Sequence, residues 1–334
     1  MDPLSQATLG AGFAQAASQR HQLAKAAMLG ALAGMAADLD VLIRSNHDPL
    51  LALEFHRQFT HALLFIPIGG LLCNLLLYPL LAKRWGLSFM GSFYICTLGY
   101  ASHGLLDACT SYGTQLLWPF TDHRFAWNTV SIIDPLFTLP LICLVFLAGR
   151  YKQRFFSYSF LVFMFSYQLF GLWQQHRVKV YVQHAVSEYH HPIERFVVKP
   201  SFANLIVWKV VYEFEGYYYS LAIKPGVTET KVWQGQRLKK LSIIDDLPWL
   251  DTNSQQAQDI NRFRQFSNDF LAIDATKPHT IVDVRYSTLP NNIDALWGIE
   301  LSPSAKKNEH VKFKSFRKKE SVDQFSVLFS MIIH

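Results

Sequence analysis

Apolar residues crowd the first half of the chain and thin out in the second. Before about residue 175 they form long runs separated by short polar stretches; beyond it they alternate with polar residues. A helix needs about 20 apolar residues to cross a bilayer. The runs at 60–81 (THALLFIPIGGLLCNLLLYPLL) and 88–109 meet that length. Those at 135–149 and 155–173 are similarly apolar, and the last is heavily aromatic. Residues 3–18 and 22–43 are rich in Ala and Gly, small residues that let two helices pack closely, although the first is short for a span. Asp2-Pro3 and Asp134-Pro135 are helix starts, with Asp as the cap and Pro in the first turn.

After residue 173 the period changes. Residues 197–223 mix β-branched and aromatic side chains around a Glu-Gly turn, which predicts paired strands. Residues 255–271 predict a polar helix, and 279–289, 295–301 and 310–316 alternate as strands do. The predicted architecture is an α-helical multi-spanning membrane domain of about five to six helices (1–175). A small α+β extramembrane domain with an antiparallel sheet follows (176–334).

Composition agrees with a membrane protein. Half of the residues are hydrophobic and 17 % are charged, against about 25 % charged in soluble domains. The net charge of +6 would raise nucleic acid as a partner, but Lys and Arg cluster in short loops near 20–25, 83–84 and 150–154. With six crossings these loops share one side, which the positive-inside rule makes cytoplasmic. No nucleic-acid partner is therefore expected; the lipid bilayer is. The opposite side receives Asp38, Asp40, His56, His61, the 107–134 connection and everything after 173. That predicts a bacterial inner-membrane protein with a periplasmic C-terminal domain, and leaves the oligomeric state open. The basic run 312–319 reads as a solvated strand edge. The start of the chain lacks the basic segment of a cleavable signal peptide. Four cysteines without a CxxC argue against a disulfide framework or a cysteine zinc site.

Three constellations carry chemistry. Asp38 and Asp40 form a DxD at the end of an apolar helix, where carboxylates oppose the helix dipole unless something compensates them. His56 and His61 lie five apart in HRQFTH, which requires His56 to curl back from a loop before a helix beginning near Thr60. His103 and Asp107 are four apart in HGLLD, hence on one helical face inside an apolar run. A pair at such depth needs a ligand, an ion pair or each other. Each set also has a bland reading: a solvated helix end, two interfacial histidines, a packing hydrogen bond. Taken together they supply three His and three Asp, enough for one catalytic ion or two bridged ions. Asp2, Gln6 and Asp134 read as cap and packing residues; His184, His190 and His191 read as surface residues. GxSxG, P-loop, GxGxxG and HExxH motifs are absent.

At these residues the chain resembles a known family, the LexA-regulated membrane-bound metal-dependent hydrolases (the YdjM-like, DUF457 group). The resemblance lies in MDPLSQATLG at the start, ADLD at 37–40, HRQFTHALL at 56–64, LGYASHGLLDACTSYGTQLLWPF at 98–120 and IDPLFTLPL at 133–141. WKVVYEF and VDVRY resemble, more weakly, the appended domain of longer members. The resemblance implies a divalent-metal site at Asp38, Asp40, His56, His61, His103 and Asp107. The chain departs from several members at Gln6 and Val41, where they carry histidine.

The expected function is that of an integral-membrane metal-dependent hydrolase, with zinc favoured and one or two ions. Asp38, His103 and Asp107 are the expected catalytic residues, and a metal-activated water would attack an ester or phosphoester of an amphiphilic or lipid-linked substrate. The alternative is a non-enzymatic, metal-stabilised membrane scaffold with an envelope-facing domain. A transporter ranks last, because 64–81 and 135–149 carry almost no polar residues.

Overall fold

The computed structural model describes residues 1–188, 193–316 and 322–333. In chain order its helices are α1 (Pro3–Ala16), α2 (Leu23–Met35), α3 (Leu51–Phe55), α4 (Ile66–Leu77), α5 (Phe89–Cys109), α6 (Pro135–Tyr151), α7 (Arg154–Glu188), α8 (Ile243–Asp246), α9 (Gln255–Phe266) and α10 (Val322–Ile333). The strands are β1 (Arg195–Pro200), β2 (Trp208–Phe214), β3 (Tyr217–Pro225), β4 (Thr230–Lys239), β5 (Leu271–Asp274), β6 (Lys277–Asp283), β7 (Trp297–Glu300) and β8 (Lys312–Ser315). The chain forms two compact units. One holds Met1–Leu42, Phe55–Trp173 and Phe202–Asn204; the other holds Ile43–Glu54, Gln174–Ser201 and Leu205–His334.

The first unit is helical. The Asp2 side chain accepts the Ser5 amide and Pro3 opens the first turn, so α1 starts where the sequence predicts. Along α1, small and polar residues are buried on several sides, and a Cβ on Gly10 would lie 2.2 Å from the Gly30 carbonyl oxygen of α2. These two backbones touch because neither residue has a side chain. At 14 residues α1 is about 21 Å long, shorter than the roughly 30 Å hydrocarbon layer. One core of this unit gathers Leu9, Leu106, Phe137, Leu141 and Phe160. Another gathers Ala26, Leu29, Ala33, Ile95 and Cys96.

Among the described residues, two helical stretches are long and apolar enough to cross a membrane, Leu63–Ala82 and Arg154–Ala185, against the five to six crossings the sequence predicts. On the first, Gly69, Gly70 and Asn74 are buried while Ile68, Leu71, Leu72, Leu75 and Leu76 are exposed, a face suited to lipid. On the second, Phe155, Val162, Phe165 and Leu169 are exposed. The sequence predicts an end for this helix near 173; it runs to Glu188, about 52 Å in all for its 35 residues. Ser88 caps α5 by accepting from Gly91, and Asp134 caps α6 while receiving the Tyr167 hydroxyl at 2.9 Å. His184 is exposed on α7, whereas His190 and His191 lie outside the described residues.

The second unit has two four-stranded antiparallel sheets where the sequence predicts one, ordered β1-β2-β3-β4 and β5-β6-β7-β8. The hairpin between β2 and β3 turns at Glu215 (φ 47°) and Gly216 (φ 72°), the left-handed pair that suits the twist of the strands. Val211, Tyr218, Phe270, Ala272 and Val282 fill a shared core. The polar stretch 43–54 belongs to this unit. Arg262 of α9 holds it through Glu54 (Nε–Oε1 2.5 Å, Nη2–Oε2 2.9 Å) and Asp48 (Nη1–Oδ1 3.0 Å, Nη2–Oδ2 2.7 Å). The same guanidinium reaches Asp259 at 3.0 Å, whose other oxygen receives His310 Nδ1 at 2.8 Å.

Candidate metal centre

After α2 the chain tightens into a 3₁₀ segment, Ala36–Leu42. With three residues per turn, positions two apart point about 240° apart, so the two carboxylates of the DxD face different partners. Asp38 points towards His61 and His103; Asp40 points towards His56 and the backbone at Arg57. His61 closes a 3₁₀ turn, Phe59–His61, ahead of α4, and His56 sits before it in a turn where Arg57 has φ 64°. That positive φ folds His56 back beside Asp40, with Nδ1–Oδ1 at 2.8 Å. His103 and Asp107 lie on one face of α5, both fully buried.

Four donor atoms converge: Asp38 Oδ1, His61 Nε2, His103 Nε2 and Asp107 Oδ2, all within 4.8 Å of one another. Asp38 lies 3.2 Å from His103 and 3.5 Å from His61, and Asp107 lies 3.3 Å from His61 and 3.8 Å from His103. Around a tetrahedral ion with bonds of about 2.0–2.1 Å, donors stand about 3.3–3.4 Å apart. His61 Nε2, His103 Nε2 and Asp107 Oδ2 are buried and make no hydrogen bond. Arg57 compensates part of the Asp107 charge, but the two imidazole nitrogens face only carboxylates and each other, and buried polar atoms left so are costly unless a ligand satisfies them.

The far side of each imidazole is fixed. His103 Nδ1 donates to the Gly34 carbonyl at 2.5 Å, and His61 Nδ1 meets Thr60 Oγ1 at 2.9 Å and Asp40 Oδ2 at 3.3 Å. A carbonyl acceptor on Nδ1 places the proton there and leaves the Nε2 lone pair aimed inward, the tautomer a metal requires. A second group, Asp38, Asp40 and His56, shares Asp38 with the first and is partly exposed. The cluster thus has a closed side at Asp107 and an accessible side at Asp38 and His56.

Three further residues complete the site, of which the sequence singles out only Gln6. Arg57 sets Nε 3.0 Å from Asp107 Oδ2 and donates Nη1 to Thr110 Oγ1 at 3.1 Å. Gln6 Nε2 donates to Asp107 Oδ1 at 2.8 Å, and the Met1 ammonium pairs with the same oxygen. Gln6 is therefore buried against a member of the cluster through its amide donor, whereas Val41 is exposed. Three carboxylates (Asp38, Asp40, Asp107) meet two cations (Arg57 and the Met1 ammonium), which leaves negative charge for a cation to neutralise. Gly104 makes room for this packing: a Cβ there would lie 2.4 Å from the His61 carbonyl oxygen. From the sequence Arg57 has no assigned role; its position beside His56 in HRQFTH is the signal that could have found this partner of Asp107.

Helices that bury a His/Asp cluster beside apolar, exposed spans define a membrane protein with a candidate metal centre. The chain matches the family described as YdjM inner membrane protein over residues 1–178, more than half its length, and belongs to that family. It is 32 % identical to the inner membrane protein YbcI of Escherichia coli (strain K12) over 111 residues, 31 % of this chain and 60 % of YbcI. It is 24 % identical to YfhP of Bacillus subtilis (strain 168), described as an uncharacterized protein, over 183 residues, 54 % of this chain and 53 % of YfhP. The match thus spans only about half to three fifths of each relative. No solved structure matches.

Proposed function

We propose that the chain is an integral inner-membrane, metal-dependent hydrolase. Asp38, His61, His103 and Asp107 hold its ion, and zinc is the favoured metal because two imidazoles and two carboxylates at tetrahedral spacing suit it. The observation that carries the reading is the set of buried, hydrogen-bond-free Nε2 and Oδ2 atoms aimed at one point. A divalent ion bound there supplies a water that ionises near neutral pH. The chain's own residues do the remainder. Arg57 and Gln6 hold Asp107 in place, and Gly34 holds the tautomer of His103. His56, oriented by Asp40 and partly exposed, is placed to take the proton from the attacking water. Asp38, shared by both groups, lies on the accessible side and touches the reacting centre. A second ion, if bound, would be held by Asp38, Asp40 and His56, and His56 would then serve as a ligand rather than as the proton acceptor.

The membrane placement belongs to the same proposal. Five to six helices cross the bilayer, the basic loops near 20–25, 83–84 and 150–154 are cytoplasmic, and residues 176–334 form a periplasmic domain. The site then lies at the outer face, at headgroup depth, which favours an ester or phosphoester of an amphiphilic or lipid-linked substrate.

The test is metal content and hydrolysis measured together. Purified protein contains one or two equivalents of divalent metal and hydrolyses a headgroup phosphodiester analogue; chelation abolishes the activity and metal restores it. Two equivalents that fall to one in His56→Ala identify the two-ion form. Full metal content and activity in His103→Ala would overturn the proposal. A non-enzymatic scaffold is the competing reading, favoured by the three-sided hold on Asp107. It predicts bound metal with no hydrolysis and no loss of metal on mutation of His56.

A further inference from the structure

One strand pair of the second unit carries charged residues at both ends, and the ends differ. β1 and β2 run antiparallel, with Arg195 opposite Glu213 and Lys199 opposite Lys209. Residues four apart on a strand share a face, and directly opposed residues do too, so all four lie on one side of the sheet. At the first end a cation meets a carboxylate: Arg195 Nε lies 2.5 Å from Glu213 Oε2, and Lys240 pairs with the other oxygen. At the second end two lysines face each other, an arrangement that costs stability in a sheet. Both are buried, Lys199 at 8 % exposure and Lys209 at 2 %.

The surroundings do not supply the missing negative charge. Lys209 Nζ donates to neutral oxygens, Ser287 Oγ at 2.8 Å and the Asn292 carbonyl at 2.5 Å. Lys199 Nζ sits 3.3 Å from the centre of the Tyr286 ring, and among the described residues it has no hydrogen-bond acceptor. Arg285 borders the same ring, its Cζ 5.2 Å from the centre. Its Nε and Nη2 take the two oxygens of Asp283, and Nη2 also reaches the Phe266 carbonyl. Its Nη1 has no acceptor among the described residues. Three cations thus share one buried carboxylate, Asp283; Asp294, which also acts on Lys209, is exposed. Burial, with Lys209 and Arg285 nearby, holds the Lys199 ammonium well below the usual lysine range, and burial brings Lys209 down to about 7.

An oxyanion supplies what this end of the sheet lacks. Unused donors on Lys199 and Arg285 lie beside one ring, and Lys209 stands directly across the strand pair. Ammonium and guanidinium groups bind phosphate through charge-assisted hydrogen bonds. Three cations against one buried carboxylate match a doubly charged anion better than a singly charged one. Lys199 and Arg285 each keep 8 % of their surface exposed, an opening for a small group. We infer that Lys199, Arg285 and Lys209 form a binding site for a phosphate group, free or carried on a small organic molecule. The site lies wholly within the second unit, and the inference goes beyond the hydrolase reading without resting on it.

Calorimetric titration of the full chain in detergent micelles tests this, after chelation has removed divalent metal from the other unit. Sulfate is the probe, because its charge stays constant across the pH range used, and chloride balances the ionic strength. Sulfate should bind the native chain. Lys199→Met keeps an unbranched side chain against Tyr286 and should weaken binding at least about tenfold. Lys199 and Lys209 face Arg285, Asp283, Asp294 and the Tyr286 ring, and a bound anion fixes protons on both lysines. Sulfate affinity should therefore rise at least about fivefold from pH 8 to pH 6.5. Inorganic phosphate and glycerol 3-phosphate should displace sulfate; tighter displacement by the second assigns an organic phosphate, and equal displacement the free ion. A second measurement needs no variant: acetylation of Lys199 by acetic anhydride, read by mass spectrometry, should fall at least about fivefold in sulfate and not in chloride. Absence of sulfate binding, equal binding in Lys199→Met, or acetylation of Lys199 that sulfate leaves unchanged overturns the proposal.

Discussion

Two charge clusters in this molecule, one buried and one partly exposed, both draw on carboxylates, histidine and arginine and end differently. In the helical unit, Asp38, His61, His103 and Asp107 point donors at one another, and three of those atoms make no hydrogen bond. In the C-terminal unit, Arg262 engages Asp48, Glu54 and Asp259, and Asp259 also receives His310 Nδ1 and the Val311 amide. Lys209 in the same unit, more deeply buried than Arg262, donates to Ser287 at 2.8 Å and to the Asn292 carbonyl at 2.5 Å, with Ser220 and Pro290 close by. The second kind of cluster is complete and holds the chain together. The first is incomplete without a cation. What separates a structural cluster from a ligand site is the presence of aimed, unsatisfied atoms, not the residue types.

The comparison breaks most readily at His103. His103→Ala should lower metal affinity by more than about 100-fold, since it removes a ligand and not merely its support. Elemental analysis after dialysis reads this out; retained metal would make the two clusters equivalent. Gly104→Ala comes next. Its Cβ would collide with the His61 carbonyl and displace that imidazole, so metal binding should weaken about tenfold while the helical unit stays folded, as measured by titration and circular dichroism.

Arg262→Ala tests the other cluster. It leaves three carboxylates without their shared cation and should cost about 2 kcal/mol in denaturant unfolding, with metal content unchanged. Loss of metal with intact stability would reverse the assignment of roles.

The smallest expected effect concerns Lys209. Burial, only partly opposed by Asp283 and Asp294, brings its pKa down from the usual lysine value to about 7. Between pH 7 and the ordinary lysine range the unfolded chain keeps the proton and the folded chain has released it. Unfolding therefore takes up a proton in that window, and stability rises with pH through it. The melting temperature should climb by about 3 °C or more between pH 7 and pH 9 in the native chain, and the climb should shrink in Lys209→Met.

Much of the architecture was readable because it follows from periodicity. The 63–82 apolar run, the Asp2-Pro3 and Asp134-Pro135 helix starts, the Glu215-Gly216 hairpin and α9 all have local causes. The last strand of the first sheet was less readable. β4 carries mostly exposed, polar residues with little alternation, and it forms because β3 offers it an edge. Residues 44–58 read as a polar stretch, and no local feature says that Arg262, more than 200 positions later, will hold Asp48 and Glu54. The C-terminal half of α7 lacks an apolar pattern strong enough to extend the helix on paper.

At the candidate centre the division is equally clear. Helical spacing alone brings His103 and Asp107 to one face, and composition alone makes a buried His/Asp set chemically unusual. The opposed directions of Asp38 and Asp40, the fold-back of His56 at a positive φ, and the approach of Arg57 and Gln6 to Asp107 arise only when segments distant in sequence pack together. Local sequence sets which side chains a turn presents. Which of them meet is decided by backbone contacts, such as Gly10 against Gly30 and Gly104 against His61, whose cost or gain exists only in the folded chain.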